Sequence, residues 1–303
     1  MLSRILHRRE FMVARVCVAA ILAGATQGCP SASGTALERQ LTGVAYITRL
    51  ATLSHALQTH RSLSTAFVAG DTNVEFGSNE QHISEDLTSI DRFDALHGEL
   101  QGVHDGWLPL KAQVRDLLEN WRERPRECFQ RHTDLIAAIA TFAANVGEVS
   151  TLRADAAPDI QSLTEAVTAV LPEMTEAMGQ TFDLVSRIAA EGGMVREQER
   201  DLFARHVTAI RSQLDRMKVN YEKAYAQDGH LRTQLDPQRQ VAGQLTTGLL
   251  DLLDKEVVHA QFVTMTPDAW APRAGAALES AQTLQDLSLS ALQSQLEDRK
   301  RKS

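Results

Sequence analysis

Aromatic residues are scarce in this 303-residue chain, where Phe, Tyr and Trp together make up 5%. No stretch shows the β-branched alternation of a strand, so sheets and barrels are excluded in favour of an all-α protein. Cysteine is nearly absent: Cys17, Cys29 and Cys128 are too few for a disulfide framework. After residue 29 no stretch approaches the length of apolar chain that crosses a bilayer, so a second membrane crossing is not expected. The chain lacks a Gly-rich phosphate loop, Gly-x-Ser-x-Gly, Cys-x-x-Cys and His-Glu-x-x-His. With them go the usual enzyme signatures and, lacking Cys-x-x-Cys-His, a c-type haem bundle. A basic excess is missing too: the formal net charge is −8, which argues against nucleic acid as a partner. No catalytic residue, metal or cofactor is expected. Glu256-Val257-Val258-His259 matches one half of a di-iron bundle motif, but only Asp94-Ala95-Leu96-His97 approximates a second half.

What the chain does have begins with a targeting segment over residues 1–28. Arg4, Arg8 and Arg9 precede an apolar run from about Phe11 to Ala25, then small residues. Arg8-Arg9-Glu10-Phe11-Met12 fits a twin-arginine export signal, and equally an ordinary secretory signal whose arginines happen to be adjacent. Gly28-Cys29 reads as the end of a lipoprotein signal with Cys29 as the lipidated residue; the rival is cleavage after Ala23-Gly24-Ala25. Either reading makes the protein exported and periplasmic, and the first anchors it to a membrane.

Residues 29–303 read as one helical domain. Eight amphipathic helices follow one another from Ala36, separated by Gly and Pro. Cys128, His132, Leu135, Ile139, Phe142, Val146 and Val149 form one stripe, on which His132 reads as a satisfied core histidine. Pro172 falls inside the fifth helix and is expected to kink it. Ser78 with Gln81 is expected to cap the second helix, and Asp236-Pro237 to start the seventh. Long antiparallel helices forming two four-helix bundles that share long helices are the expected architecture.

One residue breaks the pattern. The apolar stripe Leu50, Leu53, Leu57 continues through Arg61, Ser64 and Val68, placing a cation where a leucine belongs. A guanidinium there requires a counter-charge, for which Glu176 or Asp183 on a facing helix are candidates. The functional alternative is a site where Arg61 holds a small oxyanion or carboxylate in bidentate fashion, with His60 beside it.

Around this arginine, Gln58-Thr59-His60-Arg61-Ser62-Leu63-Ser64 resembles the Gln-x-His-Arg-Gly-Leu-Ser run of the nitrate- and nitrite-sensing (NIT-like) all-helical domain. That domain occurs as the periplasmic sensor region of some bacterial methyl-accepting chemotaxis proteins. His132-Thr133-Asp134-Leu135-Ile136, Ser150-Thr151-Leu152 with Asp155, and the run from Leu171-Pro172 to Gly179-Gln180 resemble later family motifs in order. The likeness spans about residues 40–230. Ser62 stands where the family has Gly, and Phe182 where the Gly-Gln-x-Arg motif ends in arginine.

The resemblance implies a sensor binding a small anion, nitrate- or nitrite-like or an organic acid. The implied ligand-binding residues are Arg61, His60, Gln58, Ser64 and Gln180. With no second span in the sequence, signalling would pass through a separate membrane protein. The rival expectation is a structural or adaptor lipoprotein in which the ligand site has decayed.

Overall fold

The computed structural model describes residues 32–302 apart from 98, 99, 101 and 124, so the export signal and Cys29 lie outside the described residues. The fold is all-α, as expected. Its helices are α1 (Ala32–Val68), α2 (Gly77–His97), α3 (Val103–Asn120), α4 (Pro125–Val149), α5 (Pro158–Glu165), α6 (Leu171–Ala190), α7 (Glu197–Gln227), α8 (Gly229–Leu253) and α9 (Pro267–Lys302). A π-helical turn, Ala166–Val170, joins α5 to α6 without a break, so the two form the single long fifth helix of the sequence.

That turn sits directly before Pro172, which has no N–H to offer the carbonyl four residues back. The backbone there changes hydrogen-bond pattern, one recognised way of absorbing such a residue. Pro237 behaves differently from expectation. It lies inside α8, which begins at Gly229 with the Asp228 side chain accepting from the His230 N–H at 2.8 Å. Asp236 does not cap; it accepts from Arg239 Nε and Gln240 Nε2, both at 2.7 Å. Asp228 and Gly229 alone supply the turn, so no second start is needed. Nor does Ser78 cap α2. That helix already includes Gly77, the Glu80 N–H bonds to the Phe76 carbonyl at 2.9 Å, and Gln81 reaches forward to Glu85.

α1 is the element the others surround: it packs against α2, α4, α6 and α9. Side-chain pairs give the directions. His60 meets His132 while Gly43 abuts Ser150, so α1 and α4 run antiparallel. Asn79 bonds Ala56 while Tyr46 bonds Asp94, which makes α2 antiparallel to α1 as well. Gln58 meets Glu176 and Arg61 meets Asp183, so α6 runs parallel to α1. With partners on several sides, α1 carries buried contacts around it beyond the Leu50, Leu53, Leu57 stripe.

The α1–α4 group and the α5–α9 group are joined through α1, and their buried apolar residues form one continuous core. Where α6 and α7 turn over at Gly193, the loop pairs with the loop before α9: Val195 donates to Gln261 at 3.0 Å and Val263 to Gly193 at 2.7 Å. Gly193 has φ +81° and Val263's carbonyl oxygen would lie 2.8 Å from any Cβ, so only glycine fits there.

Candidate functional site

Two helices bring charge into the core, and a third lines it. α1 supplies Arg61, with none of its side chain exposed, and α6 supplies Glu176 and Asp183. Seven residues separate the two acids, two helical turns, so both lie on the α6 face that meets α1. Arg61 Nε donates to Asp183 Oδ2 at 2.8 Å, and Arg61 Nη1 donates to Glu176 Oε1 and, at 3.1 Å, to Thr133 Oγ1 from α4. The guanidinium carbon lies 5.3 Å from the centre of the Phe129 ring, a cation–π contact from the same helix. Arg61 Nη2 is buried with no hydrogen-bond partner. It lies where a side chain at position 179 would be: a Cβ on Gly179 would come within 2.9 Å of it.

Glu176 is gripped by more than the arginine. Gln58 Nε2 donates to Oε2 at 3.1 Å and Gln180 Nε2 to Oε1 at 2.8 Å. Gln282 from α9 donates to the Gln58 carbonyl oxygen at 3.0 Å, which fixes the Gln58 amide with its NH2 toward the carboxylate. Guanidinium and two amides thus form a cradle for one carboxylate, and Glu176 occupies it. The Glu176 side chain retains 14% of its exposure, whereas Asp183 has none.

One cation serves two carboxyl groups, and the electrostatics follow. Burial alone would lower the Arg61 pKa, but the charges of Glu176 and Asp183 overcome it and hold the guanidinium protonated. For Asp183 burial wins: its pKa rises to about 6 although Arg61 and the Ser62 hydroxyl both favour the ionised form. The field reaches α7, where His206 hydrogen-bonds Thr181 at 3.1 Å. Burial, then the charges of Arg205 and Arg61, lower His206 to about 4.

Of the five residues expected to bind a ligand, the fold gathers Arg61, Gln58 and Gln180 around Glu176. His60 and Ser64 are directed elsewhere. His60 Nδ1 lies 2.7 Å from His132 Nε2 on α4, and the Ser64 hydroxyl donates to the Arg61 carbonyl at 2.9 Å. A residue's side-chain direction on a helix rotates by 100° per position, so His60 beside Arg61 in sequence faces a different neighbour. Phe182, at the position of the family's arginine, packs half-buried on the apolar core. Arg187 pairs with Glu191 and Glu199 near the surface, away from Arg61.

Thr133, Phe129 and Gly179 belong to the site but escaped sequence reasoning. Thr133 and Gly179 fall inside the family-like motifs, and the missing Cβ at 179 is what leaves room for Arg61. Among the described residues no group of His, Cys, Asp and Glu could hold a metal ion. Glu256 accepts from Thr264 at 2.7 Å, and His259 lies exposed beyond the π-helical turn Asp254–Val258. Among the described residues no helix is long and apolar enough to cross a membrane. Compared with protein-family models, with curated proteins and with solved structures, the chain matches none of them.

Proposed function

We propose that this protein is a sensor-like helical module, similar to the nitrate- and nitrite-sensing domain it resembles. Its ligand is a small anion that competes with Glu176 for the cradle of Arg61, Gln58 and Gln180. The observation that carries this reading is the occupant: three donors from two helices converge on a carboxylate, the same chemistry an organic acid or planar oxyanion would present. Glu176 reaches solvent, so it can swing out and leave the donors in place. Export, a lipid anchor on Cys29 and signalling through a separate membrane protein complete the proposal.

A second reading is supported by the second carboxylate. With Asp183 also bound to Arg61, the guanidinium is balanced without any ligand, as in a structural or adaptor protein with a closed ion-pair core.

Chemical rescue separates the two. Glu176→Ala empties the cradle while leaving its donors, so formate or acetate should raise the melting temperature of this variant in a saturable way. If the wild-type chain also gains stability with nitrate, nitrite or a short organic acid, and Gln180→Ala weakens that gain, the sensor reading stands. Rescue in the variant with no response of the wild type to any anion favours the closed core instead. The anchor is tested by Cys29→Ser, which should release the exported protein from membranes; retention there sinks that part of the proposal.

A further inference from the structure

On the face of α1 turned away from α6, two histidines meet edge to edge in the core, with ring centres 5.0 Å apart and planes 23° apart. Both are fully buried. Their hydrogen bonds leave one arrangement for the uncharged pair. His132 Nδ1 lies 2.7 Å from the Cys128 carbonyl oxygen, which only accepts, so Nδ1 carries the hydrogen and Nε2 is the acceptor. His60 Nδ1, 2.7 Å from that Nε2, must then be the donor. This leaves His60 Nε2 as a bare lone pair, and it is buried without a hydrogen-bond partner. What faces it is the Glu80 carboxyl on α2, with Oε1 at 3.6 Å. Two acceptors point at each other.

We propose that the His60–His132 pair takes up a single proton from solvent, which sits between His60 Nε2 and Glu80 and clasps α1 to α2 on acidification. The proton enters from the Glu80 side, where 32% of that side chain is exposed. It converts an acceptor–acceptor contact into a charge-assisted donor–acceptor pair and leaves the bond to His132 intact. A second proton, on His132 Nε2, would break that bond. The surroundings confine the change to this one edge. Phe76 and Trp121 meet the His60 ring edge-on, each with centroids 5.6 Å away, and shut out water from its faces.

The charged neighbours set the balance. On α2, Glu80 favours the proton. In the turn after α3, Arg122 lies 3.5 Å from the same Glu80 oxygen and competes for it. On α4, His132 is held neutral, with burial lowering it to about 3, while Arg131 is engaged by Asp116. On the opposite face of α1, Arg61 is committed to Glu176 and Asp183 of α6, and His55 to Gln285 of α9. Burial, opposed by Glu80, places His60 below its ordinary value of 6.5. Proton uptake here requires no ligand at Arg61.

Long-range ¹H–¹⁵N spectra of the full chain report the imidazole nitrogens directly. At pH 7.5 both rings should show Nδ1–H. As the pH is lowered, His60 Nε2 should take up one proton while His132 stays neutral. Glu80→Gln, a half-exposed and conservative change, should reduce the proton affinity of His60 by roughly threefold or more, half a pH unit. Hydrogen exchange, corrected for its intrinsic pH dependence, should slow in the first turns of α2 on acidification in the wild type and not in Glu80→Gln. The opposite tautomers at pH 7.5, or a His60 titration that Glu80→Gln does not move, would overturn the proposal.

Discussion

Arg61 is a cation whose worth depends on what is left behind when it goes. Arg61→Met fits the space but strands Asp183 and Glu176 as carboxylates in an apolar interior, and breaking a buried pair in this way costs about 3–5 kcal/mol. Adding Asp183→Leu and Glu176→Gln should recover most of that loss. Urea denaturation of the single and triple variants checks it; equal stability of the two would show that the acids are not stranded. Asp183 makes a separate prediction about pH. Its pKa is about 6 in the fold and near 3.8 when unfolded. Between those values the folded state binds the proton and the unfolded chain does not, so this group's contribution to stability falls as pH rises from about 4 to 6. His132 opposes it: neutral in the fold down to about 3, its stabilisation is present above 6.5 and lost as pH falls. The difference between wild type and Asp183→Asn isolates the first term. It should decline across pH 4–6, and parallel curves would sink the assignment. At this scale the sequence spoke clearly about the arginine, because a charge interrupting a leucine stripe is visible without coordinates. Its two acids could be named as well. The share each takes of the guanidinium, and the inward turn of His60 to His132, depend on rotation between helices, which no one-dimensional pattern encodes.

Between elements, close approach is purchased with small residues. α1 and α4 touch at Gly43, where a Cβ would fall 2.3 Å from the Ser150 hydroxyl oxygen and 2.4 Å from its Cβ. Neither atom can yield, since Ser150 is tied to the Val146 carbonyl one turn back. Gly43→Ala should therefore cost about 1–3 kcal/mol through overpacking. Ser150→Gly added to it should restore part of the loss, a coupling that thermal melts of the four-member cycle would measure. Strict additivity would mean the helices slide apart freely. Helix starts and stops were mostly legible here in the Gly and Pro residues that separate the helices: α5 starts at Pro158, α9 at Pro267, and Gly192-Gly193 follow α6. The exceptions are instructive. Asp236-Pro237 carries the local chemistry of a helix start, yet α8 runs through it, because Asp228-Gly229 has already turned the chain and the flanking Leu231 and Leu235 are buried in the core. Tertiary packing outweighed a local signal.

For the whole molecule, length and periodicity settled the class and left the grouping open. Amphipathic helices of this length bury one face each, which requires a helical bundle. Which helix becomes central is a different matter. α1 meets four others, so its buried contacts extend beyond the Leu50, Leu53, Leu57 stripe. The arginine that interrupts that stripe therefore stands where the fold is most connected. The chain also returns on itself: Lys300 at the end of α9 lies 3.1 Å from Glu38 near the start of α1, and Arg299 reaches Asp155 at 3.1 Å beside the turn into α5. The exposed Glu38–Lys300 pair contributes modestly to stability, about 0–1 kcal/mol.

That meeting of Glu38 and Lys300 brings the start of α1 and the end of α9 together. Arg61 lies 23 positions along α1 from Glu38, about 35 Å at the helical rise. A short flexible bridge could join the two ends there, and the chain could be reopened in the exposed turn over residues 70–75, close to the Arg61 end. The resulting permutant should keep the same melting cooperativity and the same response of the Glu176→Ala cradle to formate. Its termini would then lie near the Arg61 end, so that a tether could be placed at either end of one unchanged body.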